Sequence, residues 1–151
     1  MATLTVPFFM GEPMSFRGQV RGDDELNPVL PDAPPAQRMA VLYDHLAAWV
    51  AGHDRPLVYA GDCMAAIGML AGLQRRGIDP ALLWFDAHGD FHTWETTRSG
   101  FLGGMPLAML TGRGEQTVVA GAGLRPLPDE RVVLVDARDL DPGEEEAVAA
   151  S

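Results

Sequence analysis

A chain of 151 residues with 47% hydrophobic and 21% charged residues has the make-up of one soluble globular domain with a sizeable core. Its net charge of −10, with every basic residue an arginine, argues against nucleic acid or an anionic membrane as partner, and suits a small cationic substrate as well as plain solubility. No apolar run reaches the about 18 residues of a membrane helix, Met1–Phe9 lacks the pattern of a signal peptide, and the single Cys63 excludes an internal disulfide, so a cytoplasmic location is expected.

Thr3–Phe9 alternates and is predicted as a strand. Residues 11–35 are rich in Pro, Gly and Asp and predict an irregular excursion. Ala36–Gly52 carries Met39, Leu42, Tyr43, Leu46 and Trp49 at helical spacing, with Gly52 as its stop. Pro56–Ala60 is a second strand, and Asp62 can cap a helix over Cys63–Arg76 that ends at Gly77. Ala81–Phe85 is a short apolar run of the kind buried in parallel sheets. Met105–Leu110 predicts a short helix, and Gln116–Leu124 fits either strand or frayed helix. Arg131–Asp136 is a strand, and Asp141–Ala150 a closing helix. Strands alternating with helices imply an α/β fold with a parallel sheet.

The chemistry concentrates where Ala81–Phe85 ends. Asp86, His88 and Asp90 follow at alternate positions, which an extended backbone would place on one side. The carboxyl end of a parallel strand is where open sheets keep their sites. Two carboxylates and an imidazole suit a divalent metal of mixed O/N preference, such as Mn²⁺. The plain alternative is a solvated strand end. Cys63 is either a packed small residue or a thiol whose pKa a helix N-terminus would lower.

Tyr59–Cys63, Trp84–Asp90, Thr96–Pro106 and Ala137–Glu144 occur in that order. Together they resemble the ureohydrolase family of arginase, agmatinase and formimidoylglutamase, over residues 56–145 and over the first half of that family's domain. The resemblance implies a three-layer αβα fold, a parallel sheet with helices on both faces, here truncated to one partial domain over residues 1–151. In that family two Mn²⁺ ions share a bridging hydroxide; here the resemblance implies Asp86, His88 and Asp90 as ligands, enough with Cys63 for one metal at best, with Asp90 also acting as the catalytic carboxylate that orients hydroxide and passes its proton on. Cys63 stands where the family usually has a His ligand. As a fourth ligand it would favour Zn²⁺ or Fe²⁺. His92, Ser99 and Asp141 match positions that bind substrate in the family, His92 where an Asn is common. Gly103 and Phe101 replace a proton-shuttling His and a polar substrate-binding residue. A guanidino or amidino compound other than arginine is therefore the expected substrate.

Glu144 lies near Asp141 and suits a capping box, with Asp141 as N-cap. Arg138 is expected as a buried ion-pair partner of Asp136 or Asp139. The family's later Asp ligands have no counterpart before Ser151. A fragment, a truncated paralogue or half of a split enzyme is thus expected, either hydrolytic once completed or a metal-binding or regulatory subunit. In the family, strands of the second half lie between those matching Pro56–Ala60 and Ala81–Phe85. This chain should therefore close the gap by direct pairing or fill it as a homo-oligomer or from a chain supplying the missing half.

Overall fold

Pro7 splits the first expected strand, because it has no N–H to continue a ladder. A computed structural model describes residues 1–16 and 21–151, with β1 at Ala2–Val6 and β2 at Phe8–Phe9. Met10 and Gly11 have φ of 51° and 77° and turn the chain into β3, Glu12–Pro13, antiparallel to β2. Two positive φ values in a two-residue loop are the mark of a tight hairpin. The expected excursion thus opens with a hairpin, and it also contributes β4, Asp24–Glu25, to the edge of β1. Its residues 17–20 lie outside the described residues.

Helix α1 runs Pro35–Ala51, one residue ahead of expectation, with Pro35 in the first turn, where a missing N–H is harmless. It buries Met39, Leu42, Tyr43, Leu46, Ala47 and Val50. Trp49, expected in that stripe, lies at its margin. It stacks on His53 at 4.2 Å, and its Nε1 donates to Asp24 at 2.9 Å.

Strand β5, Pro56–Ala60, pairs parallel with β1 over its whole length. Helix α2 covers only Ala65–Arg75, so Cys63 lies outside it, and Asp62 does not cap it as expected. Asp62 instead accepts from Met10 N–H at 2.7 Å, Tyr43 O–H at 2.8 Å and Met64 N–H at 3.1 Å, tying three segments together. Gly68 and Gly72 of α2 allow close approach to α1: a Cβ there would fall 2.8 Å from the Leu46 side chain and 2.5 Å from that of Val50.

The segment Gln116–Leu124, which fitted either strand or helix, is helical over Thr117–Ala122. First comes a 3₁₀ turn at Leu102–Gly104, then α3 at Pro106–Leu110, then α4 at Thr117–Ala122, ended by Gly123 at φ 69°. Helices α1, α2 and α4 pack on one another and, together with α3, carry most of the core.

Strands β6, Leu82–Asp86, and β7, Val132–Asp136, form a separate parallel ribbon, paired residue for residue from Leu82 with Val132 to Asp86 with Asp136. Helix α5 is Pro142–Ala149. Trp84 of the ribbon is buried, whereas its neighbours Leu83 and Phe85 are 63% and 72% exposed on the opposite face. Among the described residues β5 and β6 do not pair, so direct closure of the gap is not what the chain does. A groove of about 480 Å³ lined by Val58, Ala60, Trp84 and Phe85 runs there instead. No described helix is long and apolar enough to cross a membrane.

Candidate metal centre

The loop after β6 is held by its backbone from four sides. Ala137 and Asp139, just past β7, donate N–H groups to the carbonyls of Asp86 and Ala87, both at 2.9 Å. The amides of Leu107 and Ala108, in the first turn of α3, donate to the Asp90 carbonyl at 2.9 and 3.2 Å. These are N–H groups that a helix cannot satisfy internally. His92 N–H reaches the Gly104 carbonyl at 3.1 Å, and Phe91 N–H reaches Glu144 Oε1 at 2.8 Å. Asp90 is thereby fixed at φ 50°, a conformation uncommon for a residue with a side chain. Backbone strain of that kind collects at functional sites.

This anchoring brings together Cys63, Asp86 and Asp90. One ligand atom from each lies within 4.8 Å of the other two. Asp86 sits at the end of β6, and Cys63 enters from the turn after β5, with Sγ 3.9 Å from Asp86 Oδ2. Asp90 is only 6% exposed, and among the described residues its buried Oδ2 has no hydrogen-bond partner. Burial, then the negative charges of Asp86 and Glu144, raises its pKa from 3.8 to about 6, with His88 opposing. A buried carboxylate oxygen without a partner is unusual enough to need a reason. A cation between the three side chains supplies one, so the residues fit a divalent metal.

Cys63 is open to the same cavity, yet its thiol is pushed up to about 12. Partial burial is the largest cause, followed by the charges of Asp90, Asp86 and Asp62. The expected lowering by a helix N-terminus is therefore overturned, because α2 starts two residues later and the carboxylates dominate.

His88 is beside the cluster rather than inside it. Its N–H and Nδ1 lie 2.9 and 3.2 Å from Asp86 Oδ1, and its Nε2 is 3.8 Å from Asp139. The alternation expected for Asp86, His88 and Asp90 stops at the strand end, since Asp90 is not extended. His92 is mostly buried, with Nε2 3.3 Å from Asp141 Oδ2 and Nδ1 3.1 Å from Thr96 Oγ1. Ser99 is exposed at the mouth, where its Oγ accepts from Phe101 N–H at 3.2 Å. His92, Ser99, Phe101 and Asp141 all line the cavity of about 560 Å³ that contains Cys63, Asp86 and Asp90. Gly103 leaves room beside the Phe101 ring, which would be 2.5 Å from a Cβ there.

Two expectations fail nearby. Asp141 is the N-cap residue of α5, but its side chain makes no cap bond, and Glu144 completes no capping box. Glu144 is 3% exposed and turns inward to Phe91, filling the space beside Gly89 so fully that a Cβ on Gly89 would be 2.7 Å from Glu144 Cδ. Arg138 does pair with Asp136, but both are exposed rather than buried. Sequence reasoning missed Glu144 as an anchor of the metal loop, because Asp-x-x-Glu spacing is equally that of a capping box. It also missed Asp62 as the group that fixes the chain ahead of Cys63.

Residues 12–151 match the family model described as Arginase family. The arginase of Bacillus subtilis (strain 168) is 43% identical over 97 residues, covering 64% of this chain and 33% of that protein. The N(omega)-hydroxy-L-arginine amidinohydrolase of Streptomyces lavendulae is 33% identical over 140 residues, 93% of this chain and 47% of that one. The solved arginase of Bacillus caldovelox superposes with a TM-score of 0.76 at 26% identity, over 99% of this chain and 62% of that one. The chain thus spans between a third and a half of the length of such curated relatives. A family model matched over nearly all of the sequence, on a truncated arginase-like fold of parallel strands and helices, places this chain in the arginase family.

Proposed function

We propose that residues 1–151 form one partial domain of a metal-dependent hydrolase that cleaves a C–N bond of a guanidino or amidino compound. The observation that carries this is the cluster of Cys63, Asp86 and Asp90, with an unpaired buried oxygen, at the carboxyl end of β6 in a chain of this family. Asp86 and Asp90 would hold a divalent metal, with Cys63 beside them and His88 able to join by a side-chain rotation. Oxygen and nitrogen donors alone suit Mn²⁺, and a sulfur donor shifts the preference toward Zn²⁺ or Fe²⁺. The ion supplies a water acidic enough to attack near neutral pH.

The protein's own groups do the rest. Asp90 would take a proton from the attacking water and return it to the leaving nitrogen. His92 and Asp141 form a polar wall for the substrate's far end, and Ser99 lies at the mouth. Phe101 and Gly103 shape the mouth for a guanidino or amidino group other than that of arginine. The cavity's net negative lining suits a cation.

Completion from a second polypeptide segment, or from a second copy, is part of the proposal. Support comes from the edges of β5 and β6 that have no strand partner among the described residues, the groove between them, and the exposed Leu83 and Phe85. Such a protein would work in the cytoplasm. A second reading, a metal-binding or regulatory subunit without turnover, is favoured by Gly103 and Cys63 standing where the family has histidines.

Metal analysis and product release test this. After dialysis against Mn²⁺ or Zn²⁺, the chain should retain about one equivalent, and Asp86→Asn should lose it. Alone it should release no urea from arginine. With the complementary part of a family member added, it should hydrolyse a panel of guanidino and amidino compounds in a manner abolished by Asp90→Asn. Equal metal content in wild type and Asp86→Asn would sink the centre. Metal retention without turnover on any of the panel would leave the second reading.

A further inference from the structure

Cys63 has three conceivable uses, and the surroundings eliminate two. A nucleophile needs a base within hydrogen-bond reach. The groups around the sulfur are the carboxylates of Asp86 and Asp90, which hold the thiol protonated, while His88 faces Asp86 and Asp139 and His92 faces Asp141 and Thr96. A packed core residue would be buried, whereas Cys63 is exposed and lines the cavity. What remains is the position of its sulfur, within 4.8 Å of one oxygen each from Asp86 and Asp90. Asp90 Oδ2, buried and without a partner, is an independent sign that a cation belongs in this cluster.

Resting on the metal-centre reading above, we infer that Cys63 is a ligand and that its sulfur makes the centre selective for a thiophilic divalent ion, Zn²⁺ foremost, over Mn²⁺. Thiolate is a soft donor that stabilises Zn²⁺ far more than Mn²⁺, whereas carboxylates discriminate less. As the sulfur–metal bond forms, the thiol proton passes to the buffer. The turn holding Cys63 is already fixed by Asp62 through Met10, Tyr43 and Met64. The centre is therefore expected to be a chemical departure within its fold, with sulfur entering an oxygen-rich cluster.

Zn²⁺ binds more tightly than Mn²⁺ at almost any such site. The informative quantity is therefore how far the Zn²⁺-to-Mn²⁺ preference changes when sulfur is removed. Co²⁺ adds a direct signature, because thiolate-to-cobalt charge transfer absorbs strongly in the near ultraviolet and carboxylate ligation does not. The purified chain would be titrated with Co²⁺ alone, and Zn²⁺ would then be competed against Mn²⁺, for wild type, Cys63→Ser and Cys63→His. The expected result is a charge-transfer band in wild type only, visible d–d bands in all three, and a Zn²⁺-to-Mn²⁺ preference clearly lower in Cys63→Ser than in wild type. Cys63→His should move the preference toward Mn²⁺. Visible d–d bands without charge transfer, or an unchanged preference in Cys63→Ser, would overturn the inference and leave the metal centre standing. Failure of wild type and Cys63→His alike to bind Co²⁺, with circular dichroism unchanged, would overturn both.

Discussion

The two parallel strand pairs of this molecule have opposite surroundings. Strands β1 and β5 adjoin the packed layer of α1, α2 and α4, and Leu4 and Val6 are buried with Met39, Leu42 and Leu46 in one core. The β6–β7 ribbon is covered on the Trp84 side and bare on the side of Leu83, Phe85 and Val133. Yet the candidate ligands Asp86 and Asp90 belong to the bare ribbon and its loop. Stability is concentrated in one region and the clustered carboxylates in the other, and of the three clustered side chains Cys63, after β5, comes from the first.

The largest expected contrast tests this division directly. Leu46 is fully buried and packs against Gly68. Leu46→Ala should cost about 2–5 kcal/mol in urea unfolding. Phe85→Ser, a larger change in hydrophobicity, should stay within about 0.5 kcal/mol because Phe85 has little to lose. Similar losses for both would mean that the ribbon is covered in solution.

Glu144 is the link between α5 and the metal loop, and substitutions there should have intermediate effects. Glu144→Ala removes the acceptor for Phe91 N–H and empties the space beside Gly89. A buried donor left unsatisfied costs about 1–3 kcal/mol. Glu144→Gln keeps an acceptor oxygen and should recover most of that loss. Hydrogen exchange at the Phe91 amide should accelerate in the Ala variant and stay slow in the Gln variant. Equal behaviour of the two would show that charge, not the hydrogen bond, holds the loop.

Strands β5, β6 and β7 were legible in the sequence because short apolar runs bounded by Pro, Gly and charge have few other uses. The parts that were not legible depend on contacts remote in sequence. Val118 and Val119 favour a strand by propensity, but packing against α1 makes them part of a helix, with Gly121 so close to Ala40 that a Cβ would be 2.3 Å away. The alternation of Asp86, His88 and Asp90 does not survive in the backbone, because hydrogen bonds from α3 and Glu144 hold Asp90 at positive φ. The direction of Glu144 likewise depends on where Phe91 lies. Cys63 could be weighed as a ligand from sequence, but only the fold brings it to Asp86 across 23 positions.

A pH series isolates the electrostatic cost of the site. The pKa of Asp90 is raised on folding, from 3.8 to about 6, so the folded state holds its proton more tightly than the unfolded chain does. Its contribution to metal-free stability therefore falls as pH rises between those values, and the full cost is present above about 6. Asp90→Asn removes that cost. Without metal, the variant should be about 1–2 kcal/mol more stable than wild type at pH 7.5 and no different near pH 4. Saturating Zn²⁺ should reverse the order at pH 7.5, since only wild type keeps the carboxylate. A wild type that is the more stable at pH 7.5 without metal would show that Asp90 already has a partner.

The smallest effect on stability should accompany a clear effect on association. Leu83→Glu changes a residue on the bare face of β6, so its unfolding free energy should shift by no more than about 0.5 kcal/mol. The same change places charge on an apolar surface beside the unpaired edge of that strand. Charged side chains at strand edges are how sheets resist pairing with other chains. Light scattering over a concentration series should find wild type growing beyond its 16.2 kDa monomer, and Leu83→Glu remaining close to it. If wild type is monodisperse at 16.2 kDa throughout, the bare face is tolerated as it is, and completion by a second copy is excluded. If both associate equally, the contact lies elsewhere, and the contrast between the two strand pairs concerns stability alone.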